Sequence, residues 1–141
     1  MKKFIFILAI LFVGMASNAQ MTNYVRGITP DTLTKVETEY FTVQPILGAY
    51  QSLTIQTLFT QLGGTSDGTC LLQGSLDGVS YQTLNSDFSN IDFSSSDTLT
   101  ITNGAIWLIE ITNPSFVYYR ITATGTASDT TLVTPKYIIK K

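Results

Sequence analysis

From residue 36 onward, apolar and polar positions alternate in short runs with a period of two, and Thr, Ser, Val, Ile, Tyr and Phe dominate those runs. That alternation puts one face of an extended strand in a core and the other in water, and these residue types suit a pleated surface. Residues 36–43 (VETEYFTV) alternate imperfectly; in 52–62 (SLTIQTLFTQL), Leu53 and Ile55 share one face and Thr54 and Gln56 the other. Residues 69–74 (TCLLQG) and 80–84 (SYQTL) form a short pair, and Leu99 and Ile101 share a face of 98–102 (TLTIT). The run 105–112 (AIWLIEIT) is almost wholly apolar, which predicts a central strand covered on both sides. Residues 116–124 (FVYYRITAT) and 132–139 (LVTPKYII) complete the set. No window keeps the i, i+3, i+4, i+7 pattern of an amphipathic helix.

Turn chemistry punctuates these runs. Asn103-Gly104 predicts a two-residue type I′ hairpin joining TLTIT to AIWLIEIT, because both central residues of that turn need positive φ. Asp67-Gly68 and Asp77-Gly78 mark two more turns, and Asn113-Pro114 ends the apolar strand. Pro135 lacks an amide hydrogen, which predicts an edge strand or a bulge for the last run. The result is roughly seven to nine short strands with turns about every ten residues: an all-β chain, folded as a two-sheet antiparallel β-sandwich, of which a jelly roll is one form.

The N-terminus follows a different rule. Met1-Lys2-Lys3 is positive, residues 4–16 (FIFILAILFVGMA) are apolar, and Ser17-Asn18-Ala19 offers small residues for cleavage before Gln20. This is the layout of a secretory signal peptide, and the apolar run falls short of the roughly 20 residues a membrane-spanning helix needs. The expected organisation is a signal peptide over 1–19, an extended arm or linker over 20–35 that ends in a first edge strand or packs on a neighbouring chain, and a sandwich domain over 36–141. No membrane span remains after cleavage, and the protein is expected in the periplasm, on the cell surface or outside the cell.

Composition narrows the function. The formal net charge is −2 and charged residues make up 13% of the chain, too little clustered Lys and Arg for a nucleic-acid binder. Cys70 is the sole cysteine, so no internal disulfide forms, and it reads as a small buried apolar residue. With no histidine, a Ser-His-Asp triad and a histidine-bearing zinc site are excluded. Most of the acids sit in predicted turns, where Asp serves the backbone. Glu110, in the most apolar strand, is expected to reach the rim or to pair with Arg120. No cofactor is expected; a structural calcium on Asp67, Asp77, Asp87, Asp92 and Asp97, grouped at one end of the sandwich, is the weaker alternative. Trp107 is expected in the core with Ala105, Ile109 and Ile111. Val117, Tyr119 and Ile121 are expected to be buried, with Tyr118 and Arg120 on the opposite face. Tyr40, Tyr50, Tyr81 and Tyr118 are candidates for a contact surface.

The segment 74–84 (GSLDGVSYQTL) reads Gly-Ser-x-Asp-Gly-x-x-aromatic-x-x-Leu. It resembles a hairpin of discoidin-like (F5/8 type C) sandwiches and of small sandwich domains in bacteriophage virion proteins, where a later strand reads much like Tyr118-Tyr119-Arg120-Ile121. The resemblance implies a turn at Asp77-Gly78, followed by an aromatic and a Leu that enter the core. Tyr81 stands where Trp is usual. The ending Asn18-Ala19-Gln20 is similar to those of exported Bacteroidota proteins. Together these features predict an exported, non-catalytic module that binds a glycan or a cell-surface protein through Asp67, Asp77, Tyr81, Tyr118 and Arg120. The alternative is a structural subunit of a surface assembly or phage-derived particle, working as a homo-oligomer, which a hydrophobic face left exposed on the domain would favour.

Overall fold

In the computed structural model, residues 24–34, 36–45, 51–126 and 129–140 are described. The signal peptide expected over 1–19, the first residues of the expected arm, and Tyr50 lie outside them. Eleven strands form among the described residues, more than the sequence predicts: β1 (Tyr24–Gly27), β2 (Asp31–Thr34), β3 (Thr38–Val43), β4 (Ser52–Gly64), β5 (Gly68–Ser75), β6 (Gln82–Leu84), β7 (Ile91–Phe93), β8 (Thr98–Thr100), β9 (Ile106–Thr112), β10 (Tyr118–Gly125) and β11 (Asp129–Lys140). The additional strands, β1, β2 and β7, are short pieces, three or four residues long, that flank the long ones. They are too brief for an alternating pattern to register.

The strands make a two-sheet antiparallel β-sandwich. A six-stranded sheet runs β1-β11-β4-β9-β7, with β2 also paired to β11; a five-stranded sheet runs β3-β10-β5-β6, with β8 also paired to β5. The inward positions are those the alternation marks: Leu53, Ile55 and Phe59 on β4, Trp107, Ile109 and Ile111 on β9, Cys70 and Leu72 on β5, Tyr119, Ile121 and Ala123 on β10. Each large apolar side chain removed from water contributes about 1.5–3 kcal/mol. Trp107 is fully buried; its indole N–H donates to the Ser96 carbonyl at 3.0 Å, and its ring stacks on Phe93 with centroids 5.8 Å apart. Tyr119 is buried and Val117 only partly so.

Several local expectations are revised. β9 is not covered on both sides: its burial alternates, leaving Ile106 and Leu108 exposed on the outer face. Asn103-Gly104 does not close a hairpin. β8 belongs to one sheet and β9 to the other, so this turn carries the chain across the sandwich. Gly104 has φ +76 while Asn103 is not in the left-handed region, and Ala105 N donates to the Thr102 carbonyl, the pattern of a type II turn. Gly68 makes a second crossing, from β4 to β5; a Cβ there would lie 2.3 Å from the Thr124 carbonyl oxygen, so only glycine fits.

Pro135 lies neither on an edge nor at a bulge. β11 is an interior strand, and its register shifts at Thr130/Thr131 instead. The Pro135 carbonyl accepts from Ile28 N, so the side of Pro135 that lacks an N–H faces the break between β1 and β2. Residues 24–34, expected within the arm, thus supply two strands along one side of β11, and Leu33 is fully buried.

Candidate functional site

The turn between β5 and β6 is built around one carboxylate oxygen. Asp77 Oδ1 accepts from Ser75 Oγ at 2.9 Å and from the amides of Val79 and Ser80 at 2.8 Å each, while Gly78 N donates to Ser75 Oγ at 2.9 Å. Those donors, led by the Ser80 and Val79 amides, stabilise the ionised form and pull the Asp77 carboxyl down to about 2. Gly78 has φ +75, and a Cβ there would meet the Tyr118 ring at 3.2 Å, so the turn rests on Tyr118.

Beside the turn, on the outer face of the five-stranded sheet, Arg120 is held between two tyrosines. Its guanidinium carbon lies 3.6 Å from the Tyr81 ring centroid and 4.4 Å from that of Tyr40. Gln73, its cross-strand partner on β5, accepts from Arg120 Nε at 3.0 Å and Nη2 at 2.6 Å, and from Thr122 Oγ1 at 2.7 Å. Planar stacking and charge-assisted hydrogen bonds together fix the orientation of the guanidinium.

A cleft of about 370 Å³ opens next to this stack, lined by Ser75, Asp77, Ser80, Tyr81, Gln82 and Phe116, among others. Phe116 packs edge-on against Phe88 and Tyr119, with centroids 6.4 and 5.9 Å away. Gly74 leaves room for it: a Cβ there would lie 2.7 Å from the Phe116 ring. Burial pushes the Tyr119 phenol up, and its oxygen accepts from Phe116 N at 3.3 Å. The site therefore offers aromatic walls, several hydroxyl and amide groups, an ionised carboxylate and a fixed cation.

Of the residues singled out from sequence, the fold brings Asp77, Tyr81, Tyr118 and Arg120 together. Asp67 is not with them. It precedes β5 while Asp77 follows it, so the length of that strand, roughly 25 Å at about 3.3 Å per residue, lies between. The acids expected to share one end of the sandwich are thus divided, and no group of three or more metal-ligating side chains converges among the described residues. Leu84 enters the core as the hairpin resemblance implies, but Tyr81 does not; it lies over Arg120. Glu110 does not pair with Arg120, which belongs to the other sheet; its ion-pair partner is Lys140 at 3.8 Å. Cys70 is fully buried and its thiol is pushed up by desolvation, so it is no nucleophile at neutral pH. Gln73, Gln82 and Phe116 were not anticipated. Gln73 shares an outward parity with Arg120, but only the order of strands places the two side by side.

Fold and site define a two-sheet antiparallel β-sandwich with an aromatic and polar cleft at one end. The chain matches no family model, and no curated protein matches it in sequence. Among solved structures it is similar to the PBSX exported protein XepA (13% identity, TM-score 0.56), covering 82% of this chain and 36% of that one, so it spans about a third of XepA. It is also similar to the Yersinia pseudotuberculosis-derived mitogen (8% identity, TM-score 0.51), over 83% of this chain and 85% of the mitogen. A CBM32 module from a family 31 glycoside hydrolase of Clostridium perfringens matches at 20% identity and TM-score 0.47, over 85% of this chain and 94% of the module. The first two likenesses describe the sandwich fold.

Proposed function

We propose that this chain is an exported, non-catalytic module that binds a glycan or a glycan-bearing cell-surface partner in the cleft beside the β5–β6 turn. The observation that carries this reading is the composition of that cleft: Tyr81 and Phe116 supply apolar walls, and Ser80, Gln82 and Asp77 supply hydrogen-bonding groups. A sugar ring presents an apolar C–H face and a polar rim, and it needs both kinds of wall at once. Asp77 is committed to its turn and ionised at neutral pH, so it offers an acceptor rather than a proton. Export rests on the residues Met1 to Gln20, read as a signal peptide.

The test is a glycan-array screen of the purified chain, followed by titration calorimetry on the ligands found. Tyr81→Ala and Gln82→Ala are each expected to weaken binding by about tenfold or more. Asp67→Asn, at the far end of β5, should leave it unchanged. An array without ligands, or binding indifferent to Tyr81→Ala, would sink the reading.

A second reading, the structural subunit of a surface assembly or phage-derived particle, is favoured by a different observation. Leu58, Ile106 and Leu108 are 38%, 54% and 42% exposed on the outer face of the six-stranded sheet.

A further inference from the structure

Those three leucine and isoleucine side chains are neighbours. Leu58 on β4 is the cross-strand partner of Ile106 on β9, and Leu108 sits one outward step along β9, opposite Gln56. The face around them is divided by charge. Lys136 and Lys140 lie on β11, on one side of β4. Glu110 on β9 and its cross-strand partner Asp92 on β7 lie on the other side. β4 itself, between them, carries no charged residue over its whole length. The outer face therefore reads as a cationic strand, a neutral strand and an anionic pair of strands, bridged within one chain by the 3.8 Å pair of Glu110 with Lys140, and the exposed apolar side chains lie on and beside the neutral strand.

We propose that this face is a self-association surface, on which a second copy of the chain packs sheet to sheet about a two-fold axis parallel to β4. Charge complementarity selects that axis. Rotation about a line parallel to β4 places β4 over β4, and sets the β11 of each copy over the β9 of the other. In the registers of the sheet, Glu110 lies level with Thr54 and Ile138, between the levels of Lys136 and Lys140. Each Glu110 then meets the partner's lysine strand, Leu58 meets the partner's Leu58 across the axis, and Ile106 and Leu108 lie over the partner's Thr134 and the aliphatic stem of the partner's Lys136. The other in-plane two-fold, across the strands, puts β11 on β11 and sets lysine against lysine, a repulsive arrangement. Sheets stacked with strands nearly aligned, about 10 Å apart, let such outward side chains interdigitate. A two-fold contact of this kind is closed, so it ends at a dimer. The surface lies on the sheet opposite the cleft, and the inference holds whether or not the cleft binds a glycan.

Light scattering and sedimentation equilibrium of the purified chain test it. The expected result is a concentration-dependent dimer whose dissociation constant rises when salt is added. Leu108→Lys should weaken association by at least about tenfold. Glu110→Lys should do likewise, and the triple variant Glu110→Lys, Lys136→Glu, Lys140→Glu, which inverts the polarity of the face, should restore it. All of these positions point outward, and an unchanged circular dichroism spectrum reports the intact fold; Leu58→Thr, a β-compatible residue, is the milder companion variant. Tyr81→Ala must leave the mass untouched. A monomer at every concentration overturns the proposal. So does a dimer that survives Leu108→Lys, since its contact would lie elsewhere, or one that the charge inversion fails to rescue, since the axis would be wrong.

Discussion

At Asp77 a single oxygen holds three donors, so its protonation state bears directly on the turn that shapes the cleft. The folded carboxyl titrates at about 2 against an ordinary value of 3.8. A depressed value of this kind means that folding is favoured by the ionised form. The contribution is fully present above pH 3.8 and is lost as pH falls through about 2. Asp77→Asn removes the titrating group but keeps an oxygen acceptor. The wild-type urea midpoint is therefore expected to fall more steeply than that of Asp77→Asn between those two pH values, with the two curves running parallel at neutral pH. Parallel curves throughout would show that the turn does not draw on the charge. The same residue illustrates what local sequence carries. Ser75, Asp77 and Gly78 are close in the chain, and their turn was legible from residue types alone, because every bond in it is local.

Among the elements, β11 shows how a rule can be met in an unexpected way. Proline is excluded from interior strands because it removes a ladder hydrogen bond, yet Pro135 sits in one. Its missing donor faces the break between β1 and β2, where no ladder bond is lost. The neighbouring position has no such freedom. Thr134 faces β4, opposite Leu58, in the unbroken ladder. Thr134→Pro is expected to lower stability in urea denaturation by about 3 kcal/mol or more, whereas Pro135→Ala should change it by less than about 1 kcal/mol. Similar losses for both would show that the break at Pro135 is not what accommodates it. Element-level reading of the sequence succeeded where alternation reports burial, as at Leu53, Ile55 and Trp107, and failed where an outward position is apolar. Ile106 and Leu108 look like core residues by type, and nothing in the run itself says that they face away. Asn103-Gly104 failed for a related reason: turn chemistry specifies a reversal of the chain but not which sheet receives the next strand. The site suffered most from this. Tyr118 and Arg120 were correctly given a common face by parity, but Tyr40, Gln73 and Tyr81 join them only through β3-β10-β5-β6, an order that no local pattern encodes.

The molecule as a whole keeps its two kinds of surface apart. One sheet carries the Tyr40–Arg120–Tyr81 stack and the adjoining cleft; the other carries the exposed apolar and charge-divided face. A dimer formed through the second would leave both clefts open on its outer sides, presenting two equivalent sites. Association that favours the folded chain also makes stability depend on concentration. The denaturation midpoint is expected to rise with protein concentration in the wild type and to stay constant in Leu108→Lys. A midpoint independent of concentration in both would show that folding and self-association are not linked.

The position of β11 has one more consequence. It is the last strand in the described chain, yet it is the common partner of β1, β2 and β4, so the first strands can join the six-stranded sheet only when the last one arrives. Most of the pairing is of this distant kind, and the entropy of closing such long loops must be overcome before the contacts return anything. Folding on a timescale of roughly milliseconds to seconds is the result for chains wired in this way. Until residues 129–140 are in place, β1 and β2 have no strand to pair with, and the long central strand β4 keeps one edge open.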